Sequence, residues 1–447
     1  MRRTSRRETL RLLGAGAAAI GLAATPTSAA GESTAWIRTL SGGGDTRLTG
    51  AAPDGGGGSV VAGQRGSRGF AANLGPGGAT DWVLTVKERE GVRFSDVTTR
   101  KGRHAFVGRH TGDIQNDGYL ALVEDGRVVQ DRTYGAQQYN DDLHAVTALD
   151  DGFLLAGRTL DPNTRTNVGW AVRTGIAGTV TWSRAFTEGD QNVFLDAAVL
   201  DDGFVFAGYS DGQALVIETD ESGERRRTNT YGGNDSRAHR CTAVLPATRG
   251  YYLTGYAEAG SESVGWVMHV DGTQQRVWRR TLGDGGARIE DMGAAGGAPF
   301  LAGEQGGAAW ALRASESGAG WQRTFGAADR FEGTAALRDG AVFAGTRGTD
   351  GFVVKVGTPS DTSSGEATAT SEDTPIPDAG ETTTATDAES DPTRTATETD
   401  AGGGGDEPAP TAQNTSEVIG VPGFGVPAAL LGAGAAGWAA VRRDSED

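Results

Sequence analysis

Asp201-Asp202-Gly203-Phe204-Val205-Phe206-Ala207-Gly208 is the stretch that decides the fold. It consists of a polar turn, a glycine, a short apolar run and a closing Ala-Gly pair. The same order recurs down the middle of the chain, and the glycines that close the successive apolar runs are Gly63, Gly108, Gly157, Gly208, Gly255, Gly303 and Gly345. The steps between them are 45, 49, 51, 47, 48 and 42 residues. A step of this size, repeated six times, indicates seven copies of one structural unit.

Each unit divides into four short strands separated by turn residues. In the third unit we predict Leu143–Leu149, Phe153–Arg158, Gly169–Thr174 and Val180–Phe186. A single sheet of this kind leaves both faces exposed, whereas seven sheets stacked radially bury them against one another. The sequence therefore predicts an all-β, seven-bladed β-propeller of four-stranded antiparallel blades. It resembles the seven-bladed propellers found on archaeal and bacterial surfaces.

Small and large residues are expected to pack at different distances from the axis of the propeller. Ala156-Gly157 and its equivalents should make room for neighbouring blades near the axis. Farther out, where the gaps widen, recurring tryptophans should fill the space between blades. They are Trp82, Trp182, Trp278 and Trp321 in the fourth strand and Trp170, Trp266 and Trp310 near the third.

The seventh unit lacks a fourth strand, because its strands are followed directly by a polar segment. Its three predicted strands are Phe331–Leu337, Ala341–Thr346 and Gly351–Val356. At the other end, Trp36–Leu40 matches fourth strands such as Trp278–Leu282. We predict that this N-terminal strand completes the last blade, with Trp36 beside Phe352, and so removes an open sheet edge.

Composition divides the chain into four segments. Residues 31–357 form the propeller, and much of the net charge of -17 lies beyond it, since residues 358–417 hold 14 acids and one Arg. That segment is rich in Thr and Ser and has no aromatic residue, which predicts a disordered stalk over 358–420. The propeller segment shows no basic face, which argues against nucleic acid as a partner. Arg supplies 38 of the 41 basic residues, typical of a GC-rich haloarchaeal proteome.

Both ends resemble export and sorting signals. Arg6-Arg7, an apolar run and the small residues before Ala30 resemble a twin-arginine signal peptide over 1–30, although Thr9 stands where that family prefers Phe. An amphipathic helix of the mature fold is the alternative. Pro422-Gly423-Phe424, an apolar run and two arginines resemble the PGF-type sorting signal of archaeal surface proteins over 421–447. That resemblance implies cleavage by an archaeosortase and attachment of a lipid; a permanent transmembrane anchor is the alternative. Together the two resemblances imply the export machinery as a further partner during maturation and the outer face of the cell membrane as the location. A surface-layer or other extracellular component is the partner expected there.

Residues that could carry chemistry are few. The histidines are at unequal blade positions without metal-ligand spacing, and Cys241 on an innermost strand is expected to be a small buried hydrophobe. One acidic residue follows most outer strands, and a ring of these carboxylates could hold Ca²⁺, although each could equally accept hydrogen bonds from its own turn. They are Asp45, Asp142, Asp190, Asp235, Asp284 and Asp329. Asn234 and Asn414 fit the N-glycan acceptor pattern.

Three functions remain open at this stage, one of which is an assembly module packed against the surface lattice. The first is a non-enzymatic propeller held on a stalk at the cell surface, for binding or for envelope structure, with no cofactor. The second is an exported lyase, hydrolase or quinone-dependent oxidoreductase with its site at the mouth of the central channel. Partner contacts are expected on the loops between second and third strands, Arg109–Asp117, Arg158–Asn167 and Tyr256–Ser263. An enzyme would require unequal polar groups that converge at the axis with at least one shifted pKa.

Overall fold

The computed structural model describes residues 32–357, except 113–114, 136–138, 162, 233–235, 284 and 296. The predicted signal peptide, stalk and sorting segment lie outside these residues. So do Arg6, Arg7, Ala30, Pro422, Gly423 and Phe424, together with Asn234 and Asn414. Within the described ranges, no helix has the length and apolar character needed to cross a membrane.

The described residues form seven four-stranded antiparallel sheets, each a blade of a closed ring. Blades 1 to 3 contain β2 (Thr46–Pro53), β3 (Ser59–Arg65), β4 (Arg68–Leu74) and β5 (Thr80–Thr85); β6 (Val92–Arg100), β7 (Arg103–Thr111), β8 (Asn116–Glu124) and β9 (Arg127–Tyr134); and β10 (Asp142–Ala148), β11 (Gly152–Leu160), β12 (Asn167–Gly175) and β13 (Val180–Phe186). Blades 4 and 5 contain β14 (Asn192–Leu200), β15 (Gly203–Ser210), β16 (Gln213–Asp220) and β17 (Arg225–Tyr231); and β18 (Ala238–Pro246), β19 (Tyr251–Ala259), β20 (Glu262–Val270) and β21 (Arg276–Leu282). Blades 6 and 7 contain β22 (Ala287–Gly293), β23 (Phe300–Gln305), β24 (Ala308–Ser315) and β25 (Gly318–Phe325); and β26 (Arg330–Leu337), β27 (Gly340–Arg347), β28 (Asp350–Gly357) and β1 (Ser33–Leu40).

The seven-bladed propeller with the N-terminal strand in the last blade is therefore confirmed. The strand β1 pairs antiparallel with β28, as predicted, but the predicted neighbour of Trp36 is wrong. Trp36 lies opposite Lys355, and Phe352 lies opposite Thr39. The reason is the register common to the blades, in which a fourth-strand tryptophan faces a polar residue of the third strand. The other such pairs are Trp82 with Asn73, Trp182 with Arg173, Trp278 with His269 and Trp321 with Arg313.

The core is divided among the gaps between blades. Seven clusters of buried apolar side chains are present, and each joins two neighbouring blades. The seven tryptophans named from the sequence all belong to or pack against these clusters, which confirms their role between blades. Trp36 packs in the same way against the cluster that joins blades 7 and 1. Burial of apolar surface thus ties each blade to both neighbours.

The glycines that close the apolar runs have a different role from the one expected. A Cβ added at Gly157 would lie 2.0 Å from the backbone oxygen of Asp142, in the innermost strand of the same blade. The equivalent glycines meet an inner-strand oxygen at 1.9 to 2.0 Å in the same way. Each glycine therefore leaves room for the inner strand of its own blade, which is displaced toward it, and not for the neighbouring blade.

That displacement is a β-bulge present in all seven inner strands. Each inner strand has one residue without a partner on the second strand, at the level of the closing glycine. The bulged residues are Thr49, Ser95, His144, Leu195, Thr242, Glu290 and Glu332. A bulge turns one side chain out of the alternation of the strand, and here it turns seven side chains toward the axis.

Polar side chains cross every interface between blades close to these bulges. Hydroxyls of Thr49, Thr147 and Thr242 donate to carbonyl oxygens of the following blade, at interfaces 1–2, 3–4 and 5–6. Carboxylates of Asp96, Asp196 and Asp291 accept backbone N–H groups of the following blade, at interfaces 2–3, 4–5 and 6–7. The guanidinium of Arg47 closes interface 7–1 with two hydrogen bonds to Glu332. Donors and acceptors thus alternate around the ring.

Candidate ligand site at the channel mouth

The seven bulged residues line one cavity at the mouth of the central channel. Its volume is about 370 Å³, and every blade contributes at least one side chain to its wall. The mouth lies where inner strands begin and second strands end, because Gln64 and Arg109 from the ends of β3 and β7 complete the wall. A concave site of this size with convergent polar groups has the properties of a small-molecule pocket.

Charge is unevenly distributed around the mouth. Three arginines, Arg47, Arg93 and Arg109, come from blades 1 and 2, and the carboxylate of Asp142 lies next to them in blade 3. Glu290 and Glu332 come from blades 6 and 7. The repeated blades therefore provide the same backbone position around the axis, and the side chains that differ between blades make one side of the cavity more basic and the other more acidic.

Several wall side chains have unused hydrogen-bonding capacity. Among the described residues, no hydrogen bond or ion pair is made by the side chains of Gln64, Arg93, Ser95, His144 and Glu290. The remaining charged groups of the wall are paired: Arg47 with Glu332 at 2.5 Å, and Asp142 with Arg158 at 2.5 Å and with Arg109 at 3.7 Å. These side chains are half-buried at an open mouth, where water reaches them, and a ligand in the cavity can replace that water as their hydrogen-bond partner.

Two titratable groups of the wall are shifted in opposite directions. Burial lowers the pKa of His144 to about 4, against the opposing effect of the Asp142 carboxylate. Burial, followed by the charge of Glu332, raises the pKa of Glu290 to about 7. At neutral pH the imidazole is neutral and the Glu290 carboxyl is close to half-protonated, so both can donate as well as accept hydrogen bonds.

Three further carboxylates stand around the axis beside the bulges, in blades 2, 4 and 6. Burial raises the pKa of Asp96 to about 6 and that of Asp196 to about 7. Burial also raises the pKa of Asp291 well above its usual range, with further contributions from the charges of Asp196 and Asp96. Each accepts backbone N–H groups, which oppose the shift. The equivalent residues in the other blades are small, namely Gly50, Ala145, Ala243 and Gly333.

The acidic ring expected from the sequence is not gathered at one point in the described part. Asp45, Asp190 and Asp329 are exposed, and Asp329 accepts a hydrogen bond from the backbone of Gly348. Asp142 alone lines the cavity, while Asp235 and Asp284 lie outside the described residues. No group of three or more potential metal ligands occurs among the residues that the structure describes. The Ca²⁺ hypothesis stays a prediction without a test.

Cys241 and most histidines have local packing roles. Cys241 is fully buried, where burial raises the pKa of its thiol, and the thiol lies 3.6 Å from the Ala243 oxygen. His104 contacts the Thr99 hydroxyl at 3.0 Å, and His269 contacts the Arg249 carbonyl at 2.7 Å. His144 is the exception, because it alone of the five histidines lines the cavity.

The loops predicted to carry partner contacts are shorter than expected, because the strands run further. The strand β7 continues to Thr111, β11 to Leu160 and β19 to Ala259. Of the residues assigned to these loops, Arg109 lines the cavity from within a strand. From the sequence we predicted that the residues that differ from blade to blade lie on these loops. In the structure, most of the wall residues that differ between blades lie on the bulged inner strands.

A signal for these residues was present in the sequence. When the units are aligned on their closing glycine, one variable position lies between an apolar residue and a Gly, Ala or Asp. Phe94-Ser95-Asp96, Leu143-His144-Ala145 and Ile289-Glu290-Asp291 are examples. A position that differs from blade to blade, within inner strands that are otherwise alike, indicates a side chain that does not pack between the blades.

The fold and the polar mouth together define the chain as a seven-bladed β-propeller with a channel-mouth cavity. No protein-family model and no curated protein matches the sequence. Some solved structures are similar to this chain. The WD40 β-propeller domain of Doa1 is 12% identical, with 72% of this chain and 96% of that chain covered and a TM-score of 0.49.

Two other solved structures give similar values. Raptor from Chaetomium thermophilum is 10% identical, with 74% of this chain and 29% of that chain covered and a TM-score of 0.48. A protein of unknown function from Bacteroides caccae is 11% identical, with 66% and 100% covered and a TM-score of 0.41. At such identities we carry nothing of what those proteins do over to this chain.

Proposed function

We propose that this propeller is a binding protein that takes a small ligand at the mouth of its central channel. The observation that carries the proposal is the group of five wall side chains with no partner among the described residues, all in one cavity. A purely structural ring needs only the groups that repeat or pair. These five make no hydrogen bond or ion pair within the described residues, so a ligand in the cavity can supply their partners.

Leu195 offers a direct test, because it is the bulged residue of blade 4 and the apolar one among the seven. The change Leu195→Trp should fill the mouth without touching the packing between blades. Thermal-shift screening of the full chain against small acids, amino acids and sugars should give stabilising hits that this variant loses. The control is Val277→Trp, on an outer strand where the side chain is 56% exposed, which should keep them. Equal shifts in both variants, or no hit with the wild type, would reject the proposal.

We also propose that the propeller is displayed outside the cell on a membrane-attached stalk, for binding or envelope structure. The support is the sequence: the resemblances of 1–30 and 421–447 to export and sorting signals, and the acidic Thr/Ser-rich segment between. Intact-protein mass spectrometry of membrane-extracted material should show loss of both end segments and addition of a lipid. A cytoplasmic protein of full mass would contradict this.

A second candidate is an exported propeller enzyme at the same mouth. The observation in its favour is the pair of oppositely shifted groups, His144 and Glu290, since acid–base sites separate the pKa values of their partners in this way. Its test is product formation from any ligand that the screen returns, followed by mass spectrometry in wild type, His144→Gln and Glu290→Gln. Bound ligand recovered unchanged after prolonged incubation would leave binding as the function.

A further inference from the structure

Five arginines occupy one equivalent position, two residues before the bulge, in five of the seven inner strands. They are Arg47, Arg93, Arg240, Arg288 and Arg330. Four of them lie beside a glutamate: Arg47 and Arg330 are 2.5 Å and 3.1 Å from Glu332, and Arg288 and Arg240 are 2.8 Å and 3.5 Å from Glu258. Arg93 has no such partner among the described residues. Arg93 therefore differs from the four equivalent arginines of the same protein in having no glutamate beside it.

Neighbouring positive charges make the unpaired Arg93 guanidinium unfavourable. In the ladder of blade 2, Arg93 lies directly opposite Arg109, a placement of like charges that destabilises a sheet. Burial, then the charges of Arg109 and Arg47, lower the pKa of Arg93 against the smaller opposing effects of the Glu332 and Asp142 carboxylates. Asp142 offsets part of this repulsion on the side of Arg109, where its Oδ1 lies 3.7 Å from the nearest guanidinium nitrogen, while its Oδ2 is hydrogen-bonded to Arg158. Arg93 makes no ion pair of its own among the described residues. An oxyanion between the two guanidinium groups would remove the repulsion.

The remainder of the wall indicates what else the ligand carries. Beside the arginines stand the unpartnered side chains of Gln64, Ser95 and His144, and across the mouth stands Glu290. All four can both donate and accept hydrogen bonds at neutral pH, which suits hydroxyl groups, themselves donors and acceptors. A cavity of about 370 Å³ has room for a molecule of sugar size.

We infer that the channel mouth binds a small polyhydroxylated carboxylate, such as a sugar acid, with its carboxylate between Arg93 and Arg109. The hydroxyl groups of the ligand face Ser95, His144 and Glu290. This inference rests on the proposed binding function and names the ligand class of the same cavity.

The test is calorimetric titration of the full chain with glucuronate as the probe, beside glucose, acetate and sulfate. Wild type should bind glucuronate at least about tenfold more tightly than glucose, acetate or sulfate, since each of these lacks one half of the recognised chemistry. Arg93→Gln should weaken glucuronate binding by about tenfold or more. The matched control is Arg288→Gln, at the same position of blade 6 but outside the cavity wall, which should bind as wild type does.

The outcomes separate this inference from the proposed function. Glucose bound as tightly as glucuronate, or glucuronate bound unchanged by Arg93→Gln, overturns the carboxylate assignment. If Leu195→Trp still abolishes that binding, the proposed function stands. Sulfate or acetate bound as tightly as glucuronate reduces the site to a general anion site and overturns the sugar-acid class. No binding of glucuronate to wild type rejects the inference, whatever other ligand the screen returns.

Discussion

At the scale of single residues, the molecule depends on the absence of a side chain at seven glycines. Gly157 shows why: the inner strand bulges toward it, and the oxygen of Asp142 occupies the place of a Cβ. The bulge in turn directs His144 into the channel mouth. The absence of a Cβ at Gly157 therefore allows the bulge to form, and the bulge places His144 in the site.

We expect Gly157→Ala to lower the free energy of unfolding by about 2–3 kcal/mol, because the added methyl must push the bulged strand away. Chemical denaturation of the purified protein measures this. Gly326→Ala is the control, since Gly326 is exposed and its Cβ would have no atom within 4 Å. If both variants unfold at the same denaturant concentration, the bulge does not depend on the glycine.

At the scale of elements, β1 is the strand that converts a row of blades into a ring. It pairs with β28 and also contacts both adjoining blades. Trp36 and Arg38 donate to the oxygens of Pro76 and Gly78 in blade 1, at 2.9 Å and 2.8 Å. Glu32, just before the strand, accepts from Arg313 in blade 6 at 2.9 Å. Closure therefore spans three blades and removes the open edge of β28.

Replacing residues 36–40 by a Gly/Ser segment of equal length should lower the melting temperature by on the order of 10 °C, because the strand loses its buried side chains and its contacts with blade 1. Differential scanning calorimetry gives the value. The same replacement at residues 382–386, in the predicted stalk, is the control. An unchanged melting temperature in the first variant would mean that the ring closes without β1.

At the scale of the whole molecule, three carboxylates in alternate blades couple the ring to pH. The pKa of Asp196 is raised to about 7, so its contribution to stability is complete below the ordinary Asp pKa and is lost as pH rises through about 7. Asp96, Asp291 and Glu290, also raised, act in the same direction. His144, lowered to about 4, acts in the opposite direction as pH falls from its ordinary pKa toward 4.

Asp196→Asn should therefore flatten the fall in stability between pH 4 and 7, by at most about 1.4 kcal/mol per pH unit, the equivalent of one proton. The amide also places N–H groups against backbone donors and lowers stability at every pH, so the slope is the quantity to compare. Denaturation at several pH values measures it, with Asp329→Asn on the exposed surface as the control. Parallel curves for wild type and Asp196→Asn would show that Asp196 does not titrate in this range.

The number of blades, the strands of each blade, the packing of the tryptophans and the closing strand could all be predicted from the sequence. Alternation along a strand and the spacing of turns are local properties, so residues such as Phe204 to Gly208 carry them directly. The register of Trp36 against Lys355 was available from the same repeat, through pairs such as Trp278 with His269.

The site could not be predicted in this way, because it depends on how the seven blades meet in three dimensions. Ser95, His144 and Glu290 come from blades far apart in sequence, and each inner strand alone gives no reason to group them. They meet because seven bulges, each admitted by a glycine on the adjacent strand, turn one side chain per blade toward a shared axis. Convergence at an axis depends on ring closure, and ring closure is a property of all seven blades together.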